Sequence, residues 1–218
     1  MLEVKNINSG YDKKQVITDV SFTIGDNEIV LLTGGNGSGK STVLKCIYGL
    51  LQKWNIDAIV IFNGTDITNL STSEMVKNGI VYIPQKNNYF ESLTIHENLI
   101  VSGSTANTSY EIRQREQEVL NLPNLRKFKN RNPFHLSGGE RQMLALGNGL
   151  MNNPKLILFD EPFAGLDEAN TKIMVNELLK LKEKKVSMLI VEHKKTFNKY
   201  ADRELQMDLG RIIKVVKL

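Results

Sequence analysis

The sequence predicts an α/β fold built around a parallel sheet, with an antiparallel β unit near the N-terminus and a helical insertion. Three observations carry this prediction. A short apolar strand over residues 28–33 is followed by a glycine-rich turn and then by a helical pattern over residues 41–50. Two later runs, residues 155–160 and 186–192, are almost continuously apolar, which is typical of parallel strands covered on both faces. Residues 90–152 change to a more polar, helix-forming character.

The N-terminal segment is predicted to form two paired antiparallel strands. Apolar residues alternate or cluster at strand length over residues 2–7 and 20–24. Polar turns are expected at residues 8–11 and 25–27. This unit precedes the strand, loop and helix described above.

The remaining elements complete the prediction. Residues 57–62 form a third apolar run of strand length, and residues 110–122 have the composition of a polar helix. The basic run at residues 126–131 is interpreted as a solvated surface, with a role toward a partner or a phosphate as the alternative. Residues 203–209 and 211–216 flank a glycine, which predicts a closing hairpin.

Composition is consistent with one domain and excludes several other classes of protein. The chain has 218 residues, of which 41% are hydrophobic, so it can bury a core. The 28 basic and 24 acidic residues leave a net charge of +4, which is too small and dispersed to indicate nucleic-acid binding. Cys46 is the only cysteine, which excludes an intrachain disulfide and a cysteine-rich zinc site.

No apolar run approaches the roughly 18 to 20 residues that span a bilayer, so the polypeptide is not expected to cross a membrane by itself. The N-terminus lacks the basic start and apolar stretch of a signal peptide. We therefore expect the chain to stay in the cytosol.

The glycine-rich turn has the pattern G-x-x-x-x-G-K-[ST] and reads Gly34-Gly35-Asn36-Gly37-Ser38-Gly39-Lys40-Ser41. Glycines let successive backbone N–H groups turn inward around phosphate oxygens, and the following helix directs the positive end of its dipole to the same place. Lys40 supplies a mobile positive charge for the β and γ phosphates, and the Ser41 hydroxyl is a ligand for Mg²⁺. The pattern predicts binding of a nucleoside triphosphate but leaves kinases, GTPases and ATPases open.

Two carboxylates follow the apolar run that ends at residue 159. Open α/β sheets bind their ligands at the carboxyl ends of the strands, where Asp160 and Glu161 are placed. Asp160 is suited to hold Mg²⁺, and Glu161 is suited to orient or deprotonate the attacking water. A solvated strand end is the alternative for an isolated acidic pair, and the phosphate loop favours the catalytic interpretation.

A second helix start with anion-binding character lies in the run Leu136-Ser137-Gly138-Gly139-Glu140. Ser137 is a good N-cap, and Glu140 three positions later completes a capping box. Capping does not explain Gly138 and Gly139, because each glycine weakens a first turn by roughly 1 kcal/mol relative to alanine. The sequence thus has two anion-binding helix starts, whereas one triphosphate requires a single phosphate loop.

At this point the sequence resembles the nucleotide-binding subunit of ABC transporters, whose signature motif is matched by LSGGE followed by Arg141-Gln142. The resemblance covers essentially the whole chain. It implies the P-loop NTPase fold of the ABC ATPases, with an antiparallel β subdomain and an inserted α-helical subdomain. The implied boundaries are residues 1–89 and 153–218 for the nucleotide-binding core and residues 90–152 for the helical subdomain.

The resemblance also implies roles for residues that are weak signals by themselves. Tyr11 stands where the family stacks an aromatic ring on adenine, although a turn residue is its alternative. Gln85 matches the glutamine that touches Mg²⁺ or water and senses the membrane partner. Asp167 belongs to the D-loop, and His193 matches the switch histidine that contacts the γ-phosphate. The residues implied to bind nucleotide are Tyr11, Gly34, Asn36, Gly37, Ser38, Gly39, Lys40, Ser41, Thr42, Ser137, Gly138, Gly139 and Asp167.

The same resemblance implies the cofactors and partners. The cofactors are ATP and Mg²⁺, the metal being held by Ser41, Gln85 and Asp160, and the catalytic residues are Glu161, His193 and Gln85. Each ATP would lie between the phosphate loop of one subunit and the signature helix of a second, which is a copy of this chain or a close paralogue. The implied membrane partner is a separate permease that holds the chain at the inner face of the cell membrane, and no nucleic acid is expected. Within the family, the chain looks most similar to the branched-chain amino-acid importers and lipopolysaccharide exporters.

Three departures and two alternatives accompany this interpretation. Gly35 replaces a proline common in the phosphate loop, residues 26–28 replace a Gly-Glu pair, and residues 147–149 read Gly-Asn-Gly, which predicts a weaker helix after the signature. His96 and His135 receive no role.

The alternatives are an ABC ATPase that serves a regulatory or assembly complex instead of transport, and an unrelated P-loop kinase, which would need neither the signature nor a dimer.

Overall fold

The structure of the chain is a computed structural model, and it describes residues 1–86, 88–105, 107–193 and 195–218. Over these ranges the strands and α-helices are β1 (Leu2–Tyr11), β2 (Lys14–Ile24), β3 (Ile29–Gly34), α1 (Lys40–Ile47), β4 (Ile59–Phe62), β5 (Thr65–Asp66), α2 (Thr72–Lys77), β6 (Ile80–Ile83), α3 (Ile95–Gly103), α4 (Ser109–Val119), α5 (Gly138–Leu150), β7 (Leu156–Asp160), α6 (Glu168–Glu183), β8 (Ser187–Val191), β9 (Arg203–Asp208) and β10 (Arg211–Lys217). Short 3-10 helices lie at Arg126–Phe128, Pro133–His135 and Lys195–Tyr200.

The strands form two sheets. The first is antiparallel and has the order β2-β1-β4-β5. The second has the order β10-β9-β3-β8-β7-β6, in which the five strands from β9 to β6 are parallel and β10 is antiparallel to β9. The predicted α/β class, the parallel strands near residues 155–160 and 186–192, and the closing hairpin are therefore confirmed.

The central strand β3 is covered on both faces. Ile29 and Leu31 belong to a buried cluster that includes side chains of α3, α5 and α6. Val30 and Leu32 belong to a second cluster, with α1 and the antiparallel sheet. Because successive side chains of a strand point to opposite faces, β3 joins the two clusters and fixes the position of the loop that follows it.

The predicted turn at residues 8–11 is wrong, since β1 extends through Tyr11 and the turn to β2 lies at residues 12 and 13. Polar residues are accommodated in this strand because their groups are hydrogen-bonded. Ser9 is fully buried, and its hydroxyl donates to the carbonyl of Gln52 over 2.7 Å.

One further strand agrees with the sequence prediction and one was not predicted. The run of strand length at residues 57–62 contains β4, which pairs antiparallel with β1 in the smaller sheet. The edge strand β6 was not predicted, although it pairs in parallel with β7. Its four residues are too few for a clear period along the chain.

Helices α3, α4 and α5 lie within residues 90–152, and each begins with a capping box. In each box the N-cap hydroxyl accepts a hydrogen bond from the backbone N–H of a glutamate three residues later. The carboxylate of that glutamate accepts a hydrogen bond from the backbone N–H of the N-cap residue. The pairs are Thr94 with Glu97, Thr108 with Glu111, and Ser137 with Glu140. Of the helices in the described ranges, none is both long enough and apolar enough to cross a membrane.

The basic segment at residues 126–131 packs back onto its own chain. Lys129 Nζ lies 2.8 Å from Oε1 of the buried Glu116, and His96 Nδ1 lies 2.6 Å from the same oxygen. The Arg131 guanidinium stacks over Phe128, 5.0 Å from the ring centre. These contacts give His96 a structural role and hold the segment that leads to α5.

Candidate nucleotide-binding site

The glycine-rich loop between β3 and α1 has a backbone conformation that requires glycine. Gly34, Gly37 and Gly39 have φ angles of 149°, 79° and 101°, in a region that side chains disfavour. A Cβ atom on Gly39 would also lie 2.7 Å from Cγ2 of Ile17 on β2. The loop therefore turns its backbone toward a common centre at the N-terminus of α1, which is the arrangement that binds phosphate.

Lys40 lies at the mouth of this loop. Its Nζ atom donates hydrogen bonds to the carbonyl oxygens of Gly34 and Gly35, over 3.0 and 2.8 Å. Burial lowers the pKa of Lys40, and the carboxylates of Glu161 and Asp160 only partly counter that effect. The two hydrogen bonds hold the Lys40 amino group where the predicted phosphates bind.

Ser41 and Asp160, which were predicted to hold Mg²⁺, are in direct contact. The Ser41 hydroxyl donates to Oδ1 of Asp160 over 3.0 Å, and the Tyr82 hydroxyl donates to Oδ2 over 3.4 Å. Burial raises the pKa of Asp160, while the hydrogen bond from Ser41 acts in the opposite direction. A hydroxyl and a carboxylate at one point supply the hard oxygen ligands that Mg²⁺ uses together with phosphates, so this pair fits the predicted ion.

Glu161 lies between Gln85 and His193. Gln85 Nε2 donates to Glu161 Oε2 over 2.5 Å, and His193 Nε2 lies 2.9 Å from Oε1. The three residues follow β7, β6 and β8, neighbouring parallel strands whose carboxyl ends meet at one sheet edge. Glu161 also has a φ of 51°, a left-handed conformation that costs energy for a residue with a side chain and is concentrated at functional sites.

An open cavity of about 470 Å³ extends from the phosphate loop to Glu161 and His193. Tyr11 lines this cavity together with Asn36 of the loop and Thr42 of α1. Glu161 and His193 also line it. The Tyr11 ring is 43% exposed and lies 5.9 Å from Nζ of Lys45, measured to the ring centre. An exposed aromatic ring and a phosphate loop in one cavity match the two ends of a nucleotide.

The signature residues and Asp167 form a separate group. Among the described residues, the cavity lining includes none of Ser137, Gly138, Gly139 and Asp167. Ser137 caps α5, as predicted, and Asp167 caps α6. Within a single chain, therefore, the structure brings together Tyr11, the phosphate loop, Gln85, Asp160, Glu161 and His193, but not the signature motif.

The glycines near the end of α5 do not interrupt the helix, which is continuous to Leu150. A Cβ atom on Gly149 would lie 2.8 Å from Cδ1 of Ile83, so glycine lets α5 pack closely on β6. The side-chain amide of Asn148 donates to the carbonyl of Asn88 over 3.0 Å. These tertiary contacts offset the low helix propensity of glycine and hold the strand that leads to Gln85.

Sequence reasoning did not single out two residues beside the predicted sites. Tyr82 contacts Asp160. Tyr82 lies on β6, so its position beside Asp160 could be predicted only once β6 was known to be a strand. Asn170 contacts Asp167. It could have been found from the sequence, because the residue three positions after an N-cap commonly donates its backbone N–H to the capping side chain.

Comparisons with known proteins identify the family of the chain. The model of the family described as ABC transporter matches residues 17–164, which is more than half of the chain. The chain is 39% identical, over 88% of its length and 81% of the relative, to a probable branched-chain amino acid transport ATP-binding protein, LivF, of Archaeoglobus fulgidus. It is 32% identical, over 88% of its length and 80% of the relative, to the lipopolysaccharide export system ATP-binding protein LptB of Haemophilus influenzae.

Solved structures show the same fold. A nucleotide-free ATP-binding cassette from an ABC transporter superposes with a TM-score of 0.90 at 28% identity, covering 100% of this chain and 91% of that one. A dimeric post-hydrolysis state of the cassette MJ0796, bound to ADP and Pi, superposes with a TM-score of 0.88 at 28% identity, covering 100% and 99%.

Proposed function

The chain belongs to the ABC transporter family, and on that premise we propose that it is the ATP-hydrolysing subunit that drives a separate membrane-spanning subunit through ATP-dependent dimerisation. The observation that carries the proposal is the position of Glu161, which Gln85 and His193 contact beside the phosphate loop. A carboxylate at the mouth of a phosphate loop suits hydrolysis, because the reaction needs a group that orients water.

One subunit holds most of the ATP contacts. The backbone N–H groups of the loop and Lys40 bind the β and γ phosphates, and Asn36 and Thr42 line the same cavity. Tyr11 stacks on the base, because its exposed ring lines the same cavity as the phosphate loop.

Ser41, Asp160 and Gln85 are the residues that would hold Mg²⁺. The contact of Ser41 with Asp160 supports the first two, and the contact of Gln85 with Glu161 brings the third to the same sheet edge. When bound, the ion neutralises negative charge on the β and γ phosphate oxygens.

Glu161 orients the attacking water and accepts its proton. The water oxygen forms the new bond to the γ phosphorus as the bond to the bridging oxygen of ADP breaks, so the products are ADP and phosphate. His193 is hydrogen-bonded to Glu161 and lines the same cavity, which supports its assignment as the residue that contacts the γ-phosphate.

A second subunit completes the site. Ser137, Gly138, Gly139 and Asp167 lie outside the cavity of their own chain, so we assign them to the nucleotide of the partner, either a second copy or a close paralogue. Solved relatives of this fold include a dimeric cassette bound to ADP and Pi. Hydrolysis removes contacts to the γ-phosphate and thereby lets the subunits separate.

The membrane subunit would contact the helical part of the chain, residues 90–152, beside the core formed by residues 1–89 and 153–218. A groove of about 450 Å³ runs between β6 and α3, and it contains Pro84, Phe90 and Val101. Phe90 and Val101 are exposed apolar side chains, and the groove adjoins the segment that carries Gln85. A partner in this groove would place the chain at the inner face of the membrane.

Two measurements test the proposal. Light scattering should show a monomer converting to a dimer when MgATP is added to the Glu161→Gln variant, and affinity purification from detergent extracts should recover a multi-spanning membrane protein. A chain that stays monomeric at saturating nucleotide and still hydrolyses ATP at full rate contradicts the dimer. Recovery of only non-membrane partners contradicts the transport role and favours an assembly or regulatory role.

A further inference from the structure

The first turns of α5 and α6 are in contact within one chain. A Cβ atom on Gly139 would lie 2.5 Å from Cγ and 3.0 Å from Cβ of Asn170, so the carboxamide of Asn170 packs against the bare Cα of Gly139. Gly138 differs, since the nearest atom to its Cβ would be the carbonyl oxygen of Gly165 at 3.8 Å, an ordinary contact. Of the two signature glycines, therefore, only Gly139 is required by the packing of the described residues.

Asn170 also holds both carboxylate oxygens of Asp167. Its backbone N–H donates to Oδ1 over 2.7 Å, and its side-chain Nδ2 donates to Oδ2 over 2.9 Å. The backbone bond is the usual contact of an N-cap and any residue at this position can make it. The side-chain bond depends on the amide of Asn170 and fixes the rotation of the Asp167 carboxylate.

We propose that Asn170 is a positioning residue for the half of the site that each subunit presents to the nucleotide of its partner. The inference rests on the proposed dimer, in which the signature residues and Asp167 act together on that nucleotide. The side chain of Asn170 touches both groups and joins the starts of α5 and α6 in one unit. This arrangement lowers the ordering cost of dimer closure, because the two groups enter the interface already aligned.

The first test separates nucleotide binding from dimer closure. Asn170→Ala keeps the backbone bond to Asp167 but loses the carboxamide. In the Glu161→Gln background, we expect ATP affinity of the monomer to change by less than about twofold, and the protein concentration needed for ATP-driven dimerisation to rise about tenfold. Asn176→Ala is the matched control, because Asn176 is an exposed asparagine on the same helix. Thermal unfolding of each variant verifies that it is folded.

The second test asks which subunit of the dimer Asn170 acts from, relative to the bound ATP. Two copies are joined by a flexible linker, both carry Glu161→Gln, and one carries Lys40→Met so that only the other copy binds ATP. The copy with Lys40→Met then supplies the signature half of the single remaining site. Asn170→Ala in that copy should shorten the retention time of labelled ATP about tenfold, whereas the same change in the other copy should alter it less than about twofold.

If the retention time of ATP falls equally in the two arrangements, Asn170 has a general structural role. If the retention time is unchanged in both, Asn170 has no positioning role. Either result overturns the inference while leaving the dimer intact. If the parent Glu161→Gln chain does not dimerise with ATP, the proposed function itself fails, which is a distinct observation made before Asn170 is changed.

Discussion

Gln85 donates a hydrogen bond from Nε2 to Oε2 of Glu161 over 2.5 Å, and this bond joins the ends of β6 and β7 through the residue proposed as general base. Because Gln85 is hydrogen-bonded to Glu161, a displacement of the segment around Gln85 would change the surroundings of Glu161. The groove proposed for the membrane subunit adjoins the same segment. The segment proposed to contact the partner and the carboxylate proposed to activate water are therefore linked by a single hydrogen bond.

Replacing Glu161 with glutamine should separate ATP binding from hydrolysis. The amide keeps the size of the side chain but cannot accept a proton, so we expect the ATPase rate to fall by roughly 10² to 10⁴ while ATP binding persists. Phosphate release and gel filtration with MgATP measure the two properties. Glu168→Gln is the control, since Glu168 is exposed and pairs with Lys172, and its rate should stay close to that of the parent. Normal turnover by Glu161→Gln would remove Glu161 from its role.

The two signature glycines should respond differently to alanine. Gly138→Ala adds a methyl group with ordinary contacts and improves helix propensity by about 1 kcal/mol, so the melting temperature should be unchanged or higher while ATP-driven dimerisation is lost. Gly139→Ala overlaps Asn170 and should cost about 1–3 kcal/mol of stability. Thermal unfolding and light scattering distinguish the variants. A lower melting temperature for Gly138→Ala than for Gly139→Ala would contradict the packing described above.

Removing the Tyr11 ring should weaken ATP binding only by the loss of stacking on the base. Stacking contributes on the order of 1 kcal/mol, so Tyr11→Ala should raise the dissociation constant for ATP about fivefold, whereas Tyr11→Phe should leave it nearly unchanged. Inorganic triphosphate has no base, and its affinity should not respond to either variant. An equal loss for ATP and triphosphate would show that Tyr11 acts on the phosphate loop instead.

The contacts of Glu116 should make stability depend on pH. Burial raises the pKa of Glu116, but hydrogen bonds from Lys129 and His96 outweigh burial and hold it below the ordinary value of 4.5. A lowered pKa in the folded state stabilises the protein above pH 4.5, and this contribution is lost as the pH falls through the folded-state pKa. Glu116→Gln should therefore cost about 1–3 kcal/mol at pH 7 and progressively less at acid pH.

Urea unfolding at pH 7 and at a series of acid pH values measures this difference. Glu118→Gln is the matched control on the same helix, because Glu118 is exposed and pairs only weakly with Arg115. A gap between parent and Glu116→Gln that stays constant on acidification would mean that the charge of Glu116 does not carry the stabilisation.

Much of the fold could be predicted because its strongest signals are local. The apolar runs that became β7 and β8 are long enough to identify by themselves, and the capping box at Ser137 and Glu140 is contiguous in sequence. The start of β1 was predicted, but its polar end was mistaken for a turn, since the burial of Ser9 depends on a carbonyl 43 residues away. Strand β6 was missed because it is short and lies at the edge of the sheet.

Residues that are adjacent in the chain set the local chemistry of the site. The phosphate loop has its glycines, Lys40 and Ser41 in one continuous segment, and Asp160 and Glu161 come at the end of one strand. Tertiary structure alone decided which distant groups meet. The strand order places Gln85, Glu161 and His193 at one edge, and the packing of α6 on α5 places Asn170 against Gly139. The physical reason is that local backbone geometry is set by neighbouring residues, whereas strand order and helix contacts are set by burial of side chains that lie far apart in sequence.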